Sequence, residues 1–108
     1  MQLSEQQLSF FDTFGYLAFP ELFKPQEVSW IIEEFEMVLQ THGGGKKHDG
    51  SKRTIIVPTI DHSAKLSTLL DDSRILGIAS GILGDDFNYG SGDGNYYSGD
   101  TGWHPDGA

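Results

Sequence analysis

The chain of 108 residues contains no cysteine. Disulfide cross-links and cysteine-ligated zinc sites are therefore excluded, and the absence is compatible with a reducing, cytoplasmic compartment. Basic residues are also scarce, because 7 Lys and Arg face 16 Asp and Glu and give a formal net charge of -9. A nucleic-acid partner is not expected, since proteins that bind a phosphate backbone present a basic face.

Long apolar stretches are absent as well. No run approaches the ~18 apolar residues that a membrane-spanning helix requires. The first residues carry neither the basic nor the apolar region of a secretory signal, so we expect no membrane association. The residues that are present include 37% hydrophobic and 12% aromatic side chains, enough for one domain over residues 1–108.

Two helices are predicted in the first half of the chain. Ser4 and Gln7 have the spacing of a capping box, and Gly15 is a suitable stop for the helix that follows. The second helix begins near Pro25 and ends at the glycines of 43–45. Its apolar residues recur at helical spacing and are Val28, Ile31, Ile32, Phe35, Val38 and Leu39.

Shorter patterns predict the remaining elements. They are a strand at 16–19, a β-branched strand at 54–57, a short helix at 63–70, and a helix that Asp72 or Ser73 caps and Gly84 ends. A mixture of helices and strands is therefore expected, which is an α+β chain.

The segment 42–53 is predicted to be a loop and holds four of the seven basic residues, Lys46, Lys47, Lys52 and Arg53. Such a cluster could steer an anionic substrate such as a CoA thioester or a carboxylate. A solvent-exposed surface is the simpler interpretation, and it is the one we favour for the cluster. The same interpretation is favoured for His48 and its neighbours in this loop.

The composition changes after residue 80. Residues 81–108 hold eight of the 14 glycines and five aspartates, with no Lys or Arg. Aromatic pairs alternate with glycines there, and Gly99-Asp100 suits the two-residue turn of a β-hairpin between 95–98 and 101–106.

That hairpin would gather polar side chains on one face. His104 and Asp106 point the same way along a strand, and Asn95 and Tyr97 lie opposite on the same face. An imidazole and a carboxylate are two of the three ligands in the 2-His-1-carboxylate triad that holds non-haem Fe(II). We therefore expect His104 and Asp106 to bind metal, with Asn95 and Tyr97 beside them as cofactor-binding residues. A carboxylate at Asp106 favours hydroxylation over halogenation.

These residues belong to two segments that resemble one family. Residues 95–107, NYYSGDTGWHPDG, resemble the metal-binding strand of the phytanoyl-CoA dioxygenase family. Residues 8–28, LSFFDTFGYLAFPELFKPQEV, look like the opening helix, strand and second helix of the same family. Two motifs in the right order are more specific than either motif alone.

The resemblance implies a fold and an activity. The fold would be N-terminal helices with the first strands of a double-stranded β-helix, a jelly-roll or cupin-like barrel, here truncated. The activity would be an Fe(II)- and 2-oxoglutarate-dependent dioxygenase that uses O2 to hydroxylate a small-molecule substrate. His104 and Asp106 match the family's first two metal ligands. Its distal histidine and its 2-oxoglutarate-binding arginine would lie beyond residue 108, so we expect this chain alone to be inactive.

The sequence leaves two other classes of function open. The Gly- and Asp-rich stretch could bind Ca2+ through oxygen donors at Asp85, Asp86, Asn88, Asp93, Asn95 and Asp100. The EF-hand spacing fails, however, because the position that requires Glu is Tyr97 when the loop begins at Asp86. A non-catalytic interaction fragment is the third class, and no motif supports it.

Overall fold

The computed structural model describes residues 1–44 and 48–106. Four helices and two strands lie in these residues, with two 3-10 turns between them. In chain order they are α1 (Glu5–Phe14), α2 (Pro25–His42), β1 (Thr54–Ile56), a 3-10 turn (Ile60–His62), α3 (Ala64–Ser67), a second 3-10 turn (Thr68–Asp71), α4 (Ser73–Leu83) and β2 (Gly94–Tyr96).

The predicted capping box at the start of α1 is confirmed. The backbone N–H of Gln7 donates to Ser4 Oγ at 3.1 Å, and the backbone N–H of Ser4 donates to Gln7 Oε1 at 2.9 Å. Gly15 ends the helix with a φ of 78°, in the left-handed region that glycine enters without steric cost. Local signals therefore account for both ends of α1.

The second predicted helix is also confirmed, from Pro25 to His42. Its C-terminal half supplies Val38 and Leu39 to a small core that Ile56 of β1 and Leu66 of α3 complete. Trp30 and Ile31 of its N-terminal half pack against this core as partly buried residues, whereas the stripe residues Val28 and Ile32 are 41% and 51% exposed. The apolar stripe was thus predicted correctly, but the core that the described residues build covers only part of it.

The sheet is a single antiparallel pair. Thr54 pairs with Tyr96, Ile55 with Asn95 and Ile56 with Gly94, which confirms the predicted strand at β1. Gly94 is buried where β2 crosses α2, and a Cβ there would lie 2.6 Å from Phe35 Cε2 and 2.7 Å from Thr59 Cγ2. A residue without a side chain is therefore required at this crossing.

Two predictions of strand structure were wrong. Residues 16–19 alternate between exposed and half-buried side chains as a strand would, yet they pair with no other strand among the described residues. In the predicted hairpin, Gly99 does adopt a turn conformation with φ of 88°, but 101–106 forms no ladder. Instead β2 pairs with β1, whose β-branched residues form a better strand than a segment containing Gly102 and Pro105.

The helix predicted over the last third of the chain is confirmed as α4, and Asp72 is its N-cap, accepting the backbone N–H of Arg74 at 2.9 Å. The Arg74 guanidinium also binds Asp72 and reaches Glu27 of α2 at 2.9 Å. Hydrogen bonds from this guanidinium hold the pKa of both carboxyl groups below their usual range. Arg74, bound to both acids, therefore joins the start of α4 to the start of α2.

The fold is thus mixed, with helices beside a small antiparallel sheet, which agrees with the predicted α+β class. Within residues 1–44 and 48–106 the two strands do not close into a barrel. No helix in this part of the chain is long and apolar enough to cross a membrane. Lys46 and Lys47 of the basic cluster, and Gly107 at the end of the quoted motif, lie outside the described residues.

Candidate metal site and its surroundings

The two residues predicted to bind metal lie close together near the end of the described chain. His104 Nε2 is 3.9 Å from Asp106 Oδ1, with the side chains 61% and 103% exposed. They face the same side although 101–106 is not a strand. Together with Thr101, Gly102 and Trp103 they line an open pocket with a volume of about 320 Å³. An imidazole nitrogen and a carboxylate oxygen therefore face one solvent-accessible space.

The hydrogen bond of the second ring nitrogen, Nδ1, indicates which tautomer His104 adopts. His104 Nδ1 lies 2.7 Å from the carbonyl oxygen of Gly102. A carbonyl only accepts, so Nδ1 must carry the proton in this contact. In the neutral ring, Nε2 then presents its lone pair toward the side of Asp106. A backbone carbonyl that orients an imidazole in this way is typical of metal-binding histidines.

The spacing of the two donor atoms is compatible with a shared ion. Donors on adjacent octahedral positions, each about 2.1 Å from a metal, are about 3 Å apart. The observed separation of 3.9 Å is longer than this value, and the Asp106 side chain is fully exposed. Within residues 1–44 and 48–106, however, no group of three or more His, Cys, Asp or Glu side chains could hold a metal ion. The described residues thus place one candidate pair of donor atoms together, without a third.

Asn95 and Tyr97, the predicted cofactor-binding residues, lie beside β1 and are occupied by Arg53. The carboxamide oxygen of Asn95 accepts hydrogen bonds from Arg53 Nε at 3.0 Å and from Nη2 at 2.6 Å. The Arg53 guanidinium carbon lies 4.7 Å from the centroid of the Tyr97 ring. The register between β1 and β2, and not a hairpin with 101–106, determines the surroundings of both residues.

The sequence placed His48 in a solvent-exposed loop, but the structure gives it several partners. Its ring stacks on Tyr96 at 3.8 Å, Nδ1 accepts the backbone N–H of Gly50, and Nε2 donates to the Lys52 carbonyl at 3.0 Å. The pKa of neighbouring Asp49 is lowered by hydrogen bonds from Ser51. These contacts order the approach to β1, and thereby the position of Arg53. No local sequence signal reveals the stack on Tyr96, because Tyr96 lies far along the chain.

The oxygen donors weighed for Ca2+ do not gather into one cluster. Asp93 Oδ2 is engaged by the Asn95 amide at 2.5 Å, while Asp85 and Asp86 follow the end of α4 as exposed residues. Calcium requires six to eight converging oxygens. The positions of these side chains therefore give the calcium interpretation no support.

Comparisons with known proteins leave the family open. No family model, no curated protein and no solved structure matches this chain.

Proposed function

We propose that this chain carries two of the three metal ligands of an Fe(II)- and 2-oxoglutarate-dependent dioxygenase that hydroxylates a small molecule. The observation that supports the proposal best is that His104 Nδ1 lies at hydrogen-bond distance from the Gly102 carbonyl while Nε2 lies 3.9 Å from Asp106 Oδ1. The resemblance of residues 95–107 and 8–28 to the phytanoyl-CoA dioxygenase family supports it independently.

The roles follow from the chemistry of the side chains. His104 supplies a neutral nitrogen donor, and the Gly102 carbonyl keeps that ring in one orientation. Asp106 supplies a negative oxygen donor that offsets the charge of a divalent ion. Ferrous iron, if held by these residues and a third ligand, would with 2-oxoglutarate and O2 supply the hydroxylation of a C–H bond, with succinate and CO2 as co-products. Asn95 and Tyr97 remain predicted to bind the co-substrate.

The remaining parts of the proposal come from the resemblance. A third, histidine ligand and the arginine that binds 2-oxoglutarate would be supplied by residues beyond 108. The strands completing a jelly-roll barrel would extend the β1–β2 pair, whose outer edges pair with no other strand within residues 1–44 and 48–106. The absence of cysteine favours a cytoplasmic location.

Metal binding by the chain itself is the direct test. Mn(II) is a redox-stable stand-in for Fe(II), and its unpaired electrons broaden NMR signals of nearby nuclei. We expect Mn(II) to broaden the signals of residues 102–106 first. The effect should be lost in His104→Ala and Asp106→Asn, because each removes one of only two donors. His62→Ala removes an exposed histidine elsewhere and should leave the pattern unchanged.

The result that contradicts the proposal is equally specific. Broadening centred on Asp85 and Asp86, and unaffected by His104→Ala, would indicate the oxygen-only site of the calcium alternative. In a longer polypeptide that supplies the third histidine, Fe(II)-dependent release of succinate should appear and should disappear in His104→Ala. Succinate release from the 108-residue chain alone would refute the predicted need for further ligands.

A further inference from the structure

The side chain of Arg53 is held in one orientation by residues of the opposite strand. Its Nε and Nη2 atoms both donate to Asn95 Oδ1, at 3.0 Å and 2.6 Å. Asn95 is itself fixed, since its Nδ2 donates to Asp93 Oδ2. The Tyr97 ring lies against the guanidinium at 4.7 Å. A long, flexible side chain is thereby positioned before any ligand arrives, which lowers the entropy cost of binding.

The hydrogen-bonding capacity of this guanidinium is only partly used. An arginine has five N–H donors, and Asn95 occupies two of them along the Nε side. The two N–H groups that point outward from Nη1 and Nη2 are parallel and have no acceptor among the described residues. Two parallel donors of this kind match the two oxygens of a carboxylate.

The positive charge of Arg53 is also uncompensated. Its partner is a neutral amide, and no carboxylate of the described residues lies within ion-pair distance of it. Arg74 is the opposite case in the same chain. All five of its donors are satisfied, by Glu27, Asp72 and the Leu22 carbonyl. Arg74 is therefore a structural arginine, whereas Arg53 is oriented and open.

We propose that Arg53, positioned by Asn95 and Tyr97, binds the carboxylate group of an organic ligand. A carboxylate fits better than a phosphate, because a single planar fork is offered and the nearby Asp93 disfavours a dianion. The overall charge of -9 repels anions, so binding here must come from this local arrangement. Identifying the ligand as the substrate of the dioxygenase rests on the proposed function; the carboxylate site itself does not.

The test uses the metal-free chain and sodium propionate, with neutral propionamide as the matched probe. We expect propionate to shift the NMR signals of Arg53 Nε–H and of the Asn95 and Tyr97 amides in a saturable manner, and propionamide to shift none of them. Arg53→Gln should weaken propionate binding by about tenfold or more, since a bidentate charged contact is lost. Inorganic phosphate should bind more weakly than propionate.

Two variants separate a built site from general attraction. Lys52→Gln removes the same charge one residue away and should leave the affinity within about twofold of the original. Asn95→Asp keeps a hydrogen-bond acceptor for Arg53 but places a negative charge beside the guanidinium. The Arg53 Nε–H signal should therefore still report that hydrogen bond, while propionate binding is lost. In each variant, the cross-strand contacts between Thr54 and Tyr96 report whether the sheet has formed.

The outcomes that overturn this inference are distinct from those that test the metal site. Equal losses in Lys52→Gln and Arg53→Gln would show that the attraction is not specific to the fork. Tighter binding of phosphate than of propionate, or no saturable shift at all, would also refute it. None of these results depends on Mn(II), and loss of metal binding in His104→Ala leaves the propionate result unchanged.

Discussion

Arg74 shows how one residue joins two distant parts of the chain. Its guanidinium binds Asp72 beside it and Glu27 on α2, and packs at 4.4 Å over the ring of Phe23. Hydrogen bonds from Arg74 lower the pKa of Asp72 and of Glu27, and the same two carboxylates raise the pKa of Arg74. The folded state therefore releases these carboxyl protons more readily than the unfolded chain does, which links folding to pH.

Stability should fall in acid because of these two carboxyl groups. In the folded state the pKa values of Asp72 and Glu27 lie below their unfolded values of about 3.9 and about 4.3, respectively. The unfolded state therefore takes up protons first as the pH drops. Urea unfolding between about pH 6 and about pH 3 should show stability that is fully present at the upper end and declines below about pH 4. Asp72→Asn should make the decline shallower.

Arg74→Gln provides the internal check on this prediction. It removes the partner that holds both pKa values down, so its acid decline should also be shallower than that of the original chain. An unchanged slope in both variants would show that other carboxyl groups control acid unfolding.

At the scale of elements, the β1–β2 pair packs on α2 through Ile56 of β1 and through Gly94 of β2, which lies against Phe35. The close approach of Phe35 and Thr59 to this glycine leaves no space for a side chain. Helix ends were predictable, since Ser4, Gly15 and Asp72 act on backbone groups within four residues of themselves. The partner of β2 was not predictable, because several segments are locally acceptable as strands and the pairing depends on which two strands cover the core.

Gly94→Ala should therefore lower the free energy of unfolding by about 1–3 kcal/mol, the usual cost of overpacking. Gly90→Ala is the matched control, because a Cβ at Gly90 meets no atom within 4 Å. It should be neutral or slightly stabilising, through a smaller entropy of the unfolded chain. Urea denaturation measures both, and equal effects of the two substitutions would contradict the close packing at Gly94.

The molecule as a whole has a larger accessible surface than a compact monomer of the same mass. Its accessible area is 8343 Å², against about 5,900 Å² for a compact monomer of this mass. The radius of gyration is 16.0 Å, where about 13 Å is typical of this length. No side chain of the described residues is fully buried, and large apolar side chains such as Ile32, Met37 and Leu83 are more than half exposed. The core is therefore thin.

A thin core predicts a weakly cooperative molecule. Calorimetry of the chain should give a broad transition whose unfolding enthalpy is well below about 0.7 kcal/mol per residue. The exposed apolar surface should also bind a hydrophobic dye in the native state. A sharp transition at the enthalpy expected for this length, with no dye binding, would contradict the exposed surface described above.

The sequence by itself determined the helices and the adjacency of His104 and Asp106, since each depends on residues close together along the chain. Hydrogen bonds within a helical turn, and side chains two positions apart, need no distant partner. Tertiary structure alone decided that β2 pairs with β1 and that Arg53 reaches Asn95, 42 residues away. Bringing such segments together costs chain entropy, and the packing of the sheet on α2 offsets that cost.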